Sequence, residues 1–361
     1  MGIRSNHHIG DMAPYAVASF DVPNAVPLLS MAQNESLRPP SPKVNEVVQR
    51  TLGDAADYPD PDYPELRRSI AELHNINPDN ILLGAGSMEL ITCITHAYAG
   101  PDRRVLTTEY GYALFRNSAE KVGAVCDLAP EENFTVSADA LLNSLHHDTR
   151  LVFVANPGNP TGTRLPRSEI VRLRDALPDD ILLVVDEAYG EFADGLEEPL
   201  FPLVERENTV ILRTFSKAYG LASARVGWGL FPSAVGAELR KLIIPSSISS
   251  ISAAMAMAAL EDQHYMQETC SQTAEAREMF AAELKAIGLK GLNSHTNFVL
   301  IEFPDIEQAM SADKALRDVG IVMRAMGGYA LPHCLRATIT RPATMRLAIE
   351  TLQRWNEERS R

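Results

Sequence analysis

The sequence predicts an α/β protein: a large domain on a seven-stranded, mainly parallel sheet flanked by helices, then a smaller α+β domain. Three observations predict it. Seven short runs rich in Val, Ile and Leu fall at 79–83, 104–108, 124–128, 151–155, 181–185, 209–213 and 226–230. Amphipathic stretches such as SMELITCITHAYA (87–99) and RSEIVRLRDAL (167–177) lie between them. Continuous apolar strands separated by helices mean a mainly parallel sheet covered on both faces. After residue 290 the pattern changes, and NFVLIEF, IVMRAM and LRATIT supply a few further strands.

Taken in order, residues 1–45 are rich in Pro, Ser and Asn with weak periodicity, and read as an extended arm packing with the small domain. Residues 46–245 hold the strand–helix alternation and form the large domain. Residues 246–361 form the small one. Residues 232–262 and 264–288 read as long helices, and a last helix runs from about 342. The 361-residue length suits two domains, and 45% hydrophobic with 22% charged residues is the make-up of a globular chain. A net charge of −14 argues against nucleic acid or an anionic membrane surface as partner. Cys93, Cys126, Cys270 and Cys334 lie far apart, with neither disulfide-framework nor zinc spacing. No signal peptide or membrane-span pattern is present, so a cytoplasmic protein with reduced thiols and no bound metal is expected.

Ligands in such sheets sit at the carboxyl ends of the strands. ILLVVD ends in Asp186, followed by Glu187, Ala188 and Tyr189; RLVFVA ends in NPGNPTG (156–162); TVILRTF ends in Ser216-Lys217. ILLGAG opens into a helix near Ser87, and RVLTTE runs into Tyr110. Each feature alone has a plain reading, as a cap, a turn or a surface lysine. Two nucleotide motifs nearly fit. ILLVVDE resembles a Walker B strand, but the chain has no G-x-x-x-x-G-K-[ST]. GAGSME (84–89), with Glu109 as ribose ligand, resembles a dinucleotide fingerprint, but Glu89 stands at the third glycine position.

Pyridoxal phosphate uses all of these features, because it needs a lysine amine, a carboxylate for its ring nitrogen and a phosphate cup. Lys217 supplies the amine, and Asp186 pairs with the pyridinium. Asn159 and Tyr189 donate to the phenolic oxygen, and Tyr110 lies against the ring face. The Gly86, Ser87 and Met88 amides at a helix N-terminus cradle phosphate. Thr214, Ser216 and Arg225 add hydroxyls and a guanidinium fork.

At this point the chain resembles a fold-type I, pyridoxal-phosphate-dependent aminotransferase of class I/II, most like the histidinol-phosphate aminotransferases. The resemblance runs from Pro14-Tyr15 to the end, through YPDPDYPELRRSIAE, GAGSMELI, ANPGNPTGT, VVDEAYGEF, TFSKAYGLASARVGWG and MRAMGGYALPHCLRATI. It implies Lys217 as the Schiff-base lysine and proton carrier, with Arg336 as the clamp on the substrate carboxylate. Arg324 and Tyr15 are implied at the substrate's phosphate. Tyr58 is implied at the cofactor phosphate of a second subunit, hence a homodimer. The plain alternatives are a strand charge at Arg336, surface residues at Arg324 and Tyr15, and an aromatic in a Pro-rich turn at Tyr58.

The chain also departs from the family pattern. NESLRPPSP places Leu37 and Pro39 where a proline and a glycine are usual, and Pro39 is denied the positive φ open to glycine. Met88 replaces an acidic residue, Gly158 an asparagine, and Ser246 and Ser247 an aromatic and an asparagine. The expected activity is ping-pong amino transfer, with histidinol phosphate and 2-oxoglutarate giving imidazole-acetol phosphate and glutamate. On the same fold the alternatives are an aromatic amino-acid aminotransferase and a phosphothreonine decarboxylase. From other classes they are a nicotinamide dehydrogenase and a non-catalytic cofactor-binding regulator.

Overall fold

The structure is a computed structural model that describes residues 3, 5–24, 26–197, 199–206 and 208–359, with Asp54 described in its backbone alone. Its strands are β1 (Leu29–Met31), β2 (Ile81–Ala85), β3 (Arg104–Thr108), β4 (Cys126–Ala129), β5 (Thr149–Ala155) and β6 (Leu182–Asp186). They continue with β7 (Thr209–Thr214), β8 (Val226–Leu230), β9 (Lys290–Gly291), β10 (Phe298–Glu302), β11 (Ile321–Ala325) and β12 (Cys334–Thr338). Among the described residues they make a seven-stranded sheet, β2-β8-β7-β6-β5-β3-β4, and a five-stranded sheet, β1-β11-β12-β10-β9.

In the larger sheet β3, β4, β5, β6 and β7 pair parallel, and β8 runs antiparallel to both β7 and β2. Alternate residues of each strand serve different cores, because successive side chains leave a strand on opposite faces. Leu183, Val185 and Ile211 pack on one face with Trp228, Leu66 and Ile70. Leu182, Val184 and Leu212 pack on the other with Phe115, Leu90 and Phe231. A separate cluster with Phe280, Phe303 and Trp355 lies on the five-stranded sheet.

The structure moves several boundaries. The strand expected at 79–83 is β2 and begins at Ile81, because Pro78–Asn80 forms a single turn with Asp79 N–H bonded to Asn77 Oδ1 at 2.9 Å. β4 begins at Cys126 and not 124, since Gly123 (φ 70) and Ala124 close the preceding helix. The single helix expected over 232–262 is two, Ser233–Leu239 and Ser250–Leu260. Pro245 brings no N–H to a ladder, Ser246 takes φ 57, and the Ser249 side chain caps a new start.

Helix Ser250–Leu260 was expected in the small domain, yet its Ala256, Ala258 and Leu260 pack in the large core with Val44 and Leu66. The arm is not wholly extended either. It holds a turn of helix at His7–Gly10 and strand β1, which pairs parallel with β11. A helix, Pro42–Thr51, starts inside its last residues, with Pro at the first helical position and Ser41 as cap.

Candidate active site

Because β5, β6 and β7 are parallel, their last residues, Ala155, Asp186 and Thr214, arrive at one edge. β8 runs the other way, so it starts at that edge, and Arg225, the residue before it, joins the same group. β2 ends there and turns through Gly86 into helix Ser87–Tyr98. Gly86 (φ 78) is required by its backbone, which lies in the left-handed region, and its missing Cβ leaves room for the Arg225 guanidinium. Gly227 likewise leaves room for the Ser87 amide.

These ends surround a cavity of about 410 Å³. Lys217, Asp186, Tyr189, Asn159, Thr214, Ser216, Arg225, Ser87 and Met88 line it from the large sheet. Arg336 and Arg324 line it from β12 and β11, and Tyr15 from the arm. Lys217 Nζ donates to Asn34 O at 3.0 Å and Gln33 O at 3.3 Å. Burial, with the Arg336 and Arg225 guanidiniums, lowers its pKa to about 8. Asp186 is 4% exposed, and burial raises its carboxyl to about 7 against the opposing Ala188 amide bond of 3.0 Å. Thr214 Oγ1 donates to Ser216 Oγ at 3.0 Å, and Arg225 Nη1 donates to the same oxygen at 3.3 Å.

Arg336 Nη1 donates to Asn159 Oδ1 at 2.5 Å and Nη2 to Ala32 O at 3.0 Å, while the buried Nε has no partner. No described carboxylate forms an ion pair with Arg336, and it stands directly opposite Arg324 across the β11–β12 pair. Like charges facing each other on a sheet destabilise it, and a buried guanidinium without a counter-ion is costly. Both penalties disappear when an anion sits between them.

Two expected residues stand elsewhere. Tyr110 does not line the cavity: it packs against Phe134, with ring centroids 5.8 Å apart. The turn at Glu109–Gly111 carries it off the strand end and delivers Tyr112, two residues on, to the cavity wall. Tyr58 is 95% exposed, outside the cavity. Glu109, the alternative ribose ligand, is engaged by the Glu131 N–H at 2.9 Å. Ser246 and Ser247 stand off the cavity, bonded to Pro59 O at 3.0 Å and Glu89 Oε2 at 2.9 Å.

Sequence reasoning missed Asn34, Tyr112 and Tyr329, all on the cavity wall. Tyr112 was visible in the YGY repeat of aromatics. Asn34 opens NESLRPPSP and Tyr329 lies in MRAMGGYALPHCLRATI, so both stand in motifs compared with the family pattern, but nothing local shows that these distant segments meet at the site.

The residues present fit pyridoxal phosphate. A buried acid at a strand end matches a protonated ring nitrogen. Helix Ser87–Tyr98 starts with no side-chain cap, which leaves the Ser87 and Met88 amides for phosphate, whereas the Gly86 N–H expected there donates to Gly84 O at 2.7 Å. Thr214, Ser216 and Arg225 border the same cavity.

A sequence model of the aminotransferase class I and II family matches residues 26–352. The chain is 39% identical over 344 residues to a histidinol-phosphate aminotransferase of Cereibacter sphaeroides, covering 95% of each. It is 36% identical over 352 residues to that of Ruegeria pomeroyi, covering 98% of each. The crystal structure of histidinol-phosphate aminotransferase from Sinorhizobium meliloti in complex with pyridoxal-5'-phosphate superposes with a TM-score of 0.91. Its identity is 29% and 99% of each chain is covered.

Proposed function

The chain belongs to the aminotransferases of class I and II, and from that membership we propose how its residues divide the work and which substrates they take. It is a pyridoxal-phosphate-dependent transaminase. The reaction is amino transfer from histidinol phosphate to 2-oxoglutarate, giving imidazole-acetol phosphate and glutamate. The observation that carries the substrate reading is the Arg324–Arg336 pair, two facing guanidiniums in one cavity with no described ion-pair partner. Such a pair suits a substrate that brings a phosphate or a carboxylate.

Bound pyridoxal phosphate supplies the electron sink and carries the amino group between the half-reactions. Lys217, a free amine above about pH 8, serves as nucleophile and as the base that moves a proton at the substrate's α-carbon. Asp186 keeps the ring nitrogen protonated. Asn159 and Tyr189 bind the phenolic oxygen. The Ser87 and Met88 amides, presented by the turn at Gly86, hold the cofactor phosphate with Thr214, Ser216 and Arg225. Arg336 takes a carboxylate of glutamate or 2-oxoglutarate, and Arg324 with Tyr15 takes the phosphate of histidinol phosphate.

A homodimer is part of this reading. Tyr58 is 95% exposed, Ile244 66% and Met88 36%. Their segments are tied together through Ser246 to Pro59 and Ser247 to Glu89, beside the start of the phosphate-binding helix. Apolar groups exposed together mark an interaction surface. The four cysteines are free, and no described helix is long and apolar enough to cross a membrane; both suit a cytoplasmic enzyme.

The test is a panel of amino donors mixed with purified enzyme, followed by bleaching of the cofactor's visible absorbance. Histidinol phosphate bleaches it at the lowest concentration. Lys217→Ala shows no turnover, and Arg324→Ala weakens phosphorylated donors by roughly 10-fold or more, the worth of one charge-assisted bond. Phenylalanine equalling histidinol phosphate, or losing as much in Arg324→Ala, overturns the substrate reading.

A further inference from the structure

Asn34 lies three residues beyond β1 with φ 54, in the left-handed region that asparagine tolerates. It is 2% exposed, and all its polar groups are engaged. Its N–H donates to Thr338 Oγ1 at 2.9 Å, and the Thr338 hydroxyl donates to Asn34 Oδ1 at 3.3 Å. Asn34 Nδ2 donates to the Tyr189 phenol oxygen at 2.7 Å. Its carbonyl accepts from Lys217 Nζ and from Asn297 Nδ2, both at 3.0 Å.

Each bond in this chain sets the direction of the next. Thr338 receives the Asn34 amide proton and gives its own to Oδ1, which turns Nδ2 toward Tyr189. A phenol oxygen that already accepts from Nδ2 keeps its own proton to give. Tyr189 faces the cavity, so the proton is offered there.

We infer that Asn34 is a positioning residue that fixes the polarity of Tyr189, making it a hydrogen-bond donor to the cofactor's phenolic oxygen. This rests on the cofactor reading above. A donor at that oxygen draws charge from it and weakens its hold on the proton it shares with the Lys217-linked nitrogen. Asn34 thereby holds that proton's pKa down without touching the cofactor, and Thr338, a strand residue of the five-stranded sheet, orients Asn34.

The experiment is a pH titration of the visible absorbance of the cofactor-loaded protein. Asn34→Asp places an acceptor where Asn34 has a donor, so Tyr189 turns its proton to the new carboxylate and the midpoint rises. The added negative charge also raises it, so the same change is made in a Tyr189→Phe background, where only the charge acts. The expected rise is roughly one pKa unit larger with Tyr189 present, the scale of one lost bond to a charged group. Equal rises in the two backgrounds overturn the inference.

Should Asn34→Asp fail to fold, Thr338→Val carries the same comparison. It raises the midpoint with Tyr189 present and not in the Phe background, while Thr338→Ser titrates as the unaltered protein. A Thr338→Val midpoint equal to that of the unaltered protein overturns the inference. Unaltered protein that takes up no chromophore sinks the cofactor reading instead, a distinguishable result.

Discussion

Asp186 and Lys217 show how burial tunes a residue in opposite senses for one purpose. Both charged forms are disfavoured by loss of water, which leaves an acid waiting for a cation and an amine ready to react. For Asp186 the consequence is measurable without turnover. Its folded pKa of about 7 lies above the ordinary 3.8, so the folded state holds the extra proton between those values. This group's contribution to stability is therefore present at low pH and is lost as pH rises through 7. Cofactor-free Asp186→Asn accordingly melts at a higher temperature than the unaltered protein above pH 7, and its melting curve against pH is flatter between 4 and 7. The same variant loses cofactor affinity. An unchanged pH profile in thermal melts would show that the carboxyl is ionised in the fold.

The strand-end turns are where elements meet closely enough for one atom to matter. The start of helix Ser87–Tyr98 lies against β8 at Gly227, where a Cβ would meet the Ser87 amide nitrogen. Gly227→Ala therefore moves the helix start. The expected result is weaker cofactor binding by equilibrium titration, with a smaller loss of thermal stability.

Behind the site, β6 and β7 are joined by Arg213, 1% exposed. It donates to Glu187 Oε2 at 2.8 and 3.1 Å and to Asp194 at 2.7 and 2.8 Å. Glu187 follows Asp186 and Arg213 precedes Thr214, so this pair braces two cofactor-facing residues at once. Arg213→Ala takes both of these bonds from buried Glu187 and leaves it the longer Arg167 ion pair at 3.8 Å. Denaturant unfolding should register a loss of about 3–5 kcal/mol, the cost of breaking a buried pair by removing one partner.

At the scale of the whole molecule, the prediction concerns assembly. Sedimentation of the loaded enzyme should give a dimer at micromolar concentration. Tyr58→Ala should lower cofactor affinity, read by equilibrium titration of the loaded chromophore, although Tyr58 is 95% exposed in its own subunit and lies outside that subunit's cavity. A monomer with full activity removes the basis for a shared site.

The strand ends were legible because chemistry and periodicity coincide there. Asp186, Asn159, Lys217 and Arg225 each close or open an apolar run, and a parallel sheet must bring those ends to one edge. Local sequence also determined helix starts where a proline or a capping serine stands, as at Ser41-Pro42 and Ser249, but not the break at Pro245-Ser246. What only the tertiary structure decided are the contacts made across long separations. Asn34 meets Thr338 and Tyr189, Arg324 faces Arg336, Tyr112 replaces Tyr110 on the wall, and helix Ser250–Leu260 joins the large core. None of these has a local signal, because each depends on where two distant segments stop when their apolar faces are buried. The polarity of a hydrogen-bond chain is settled only when all its members are in place.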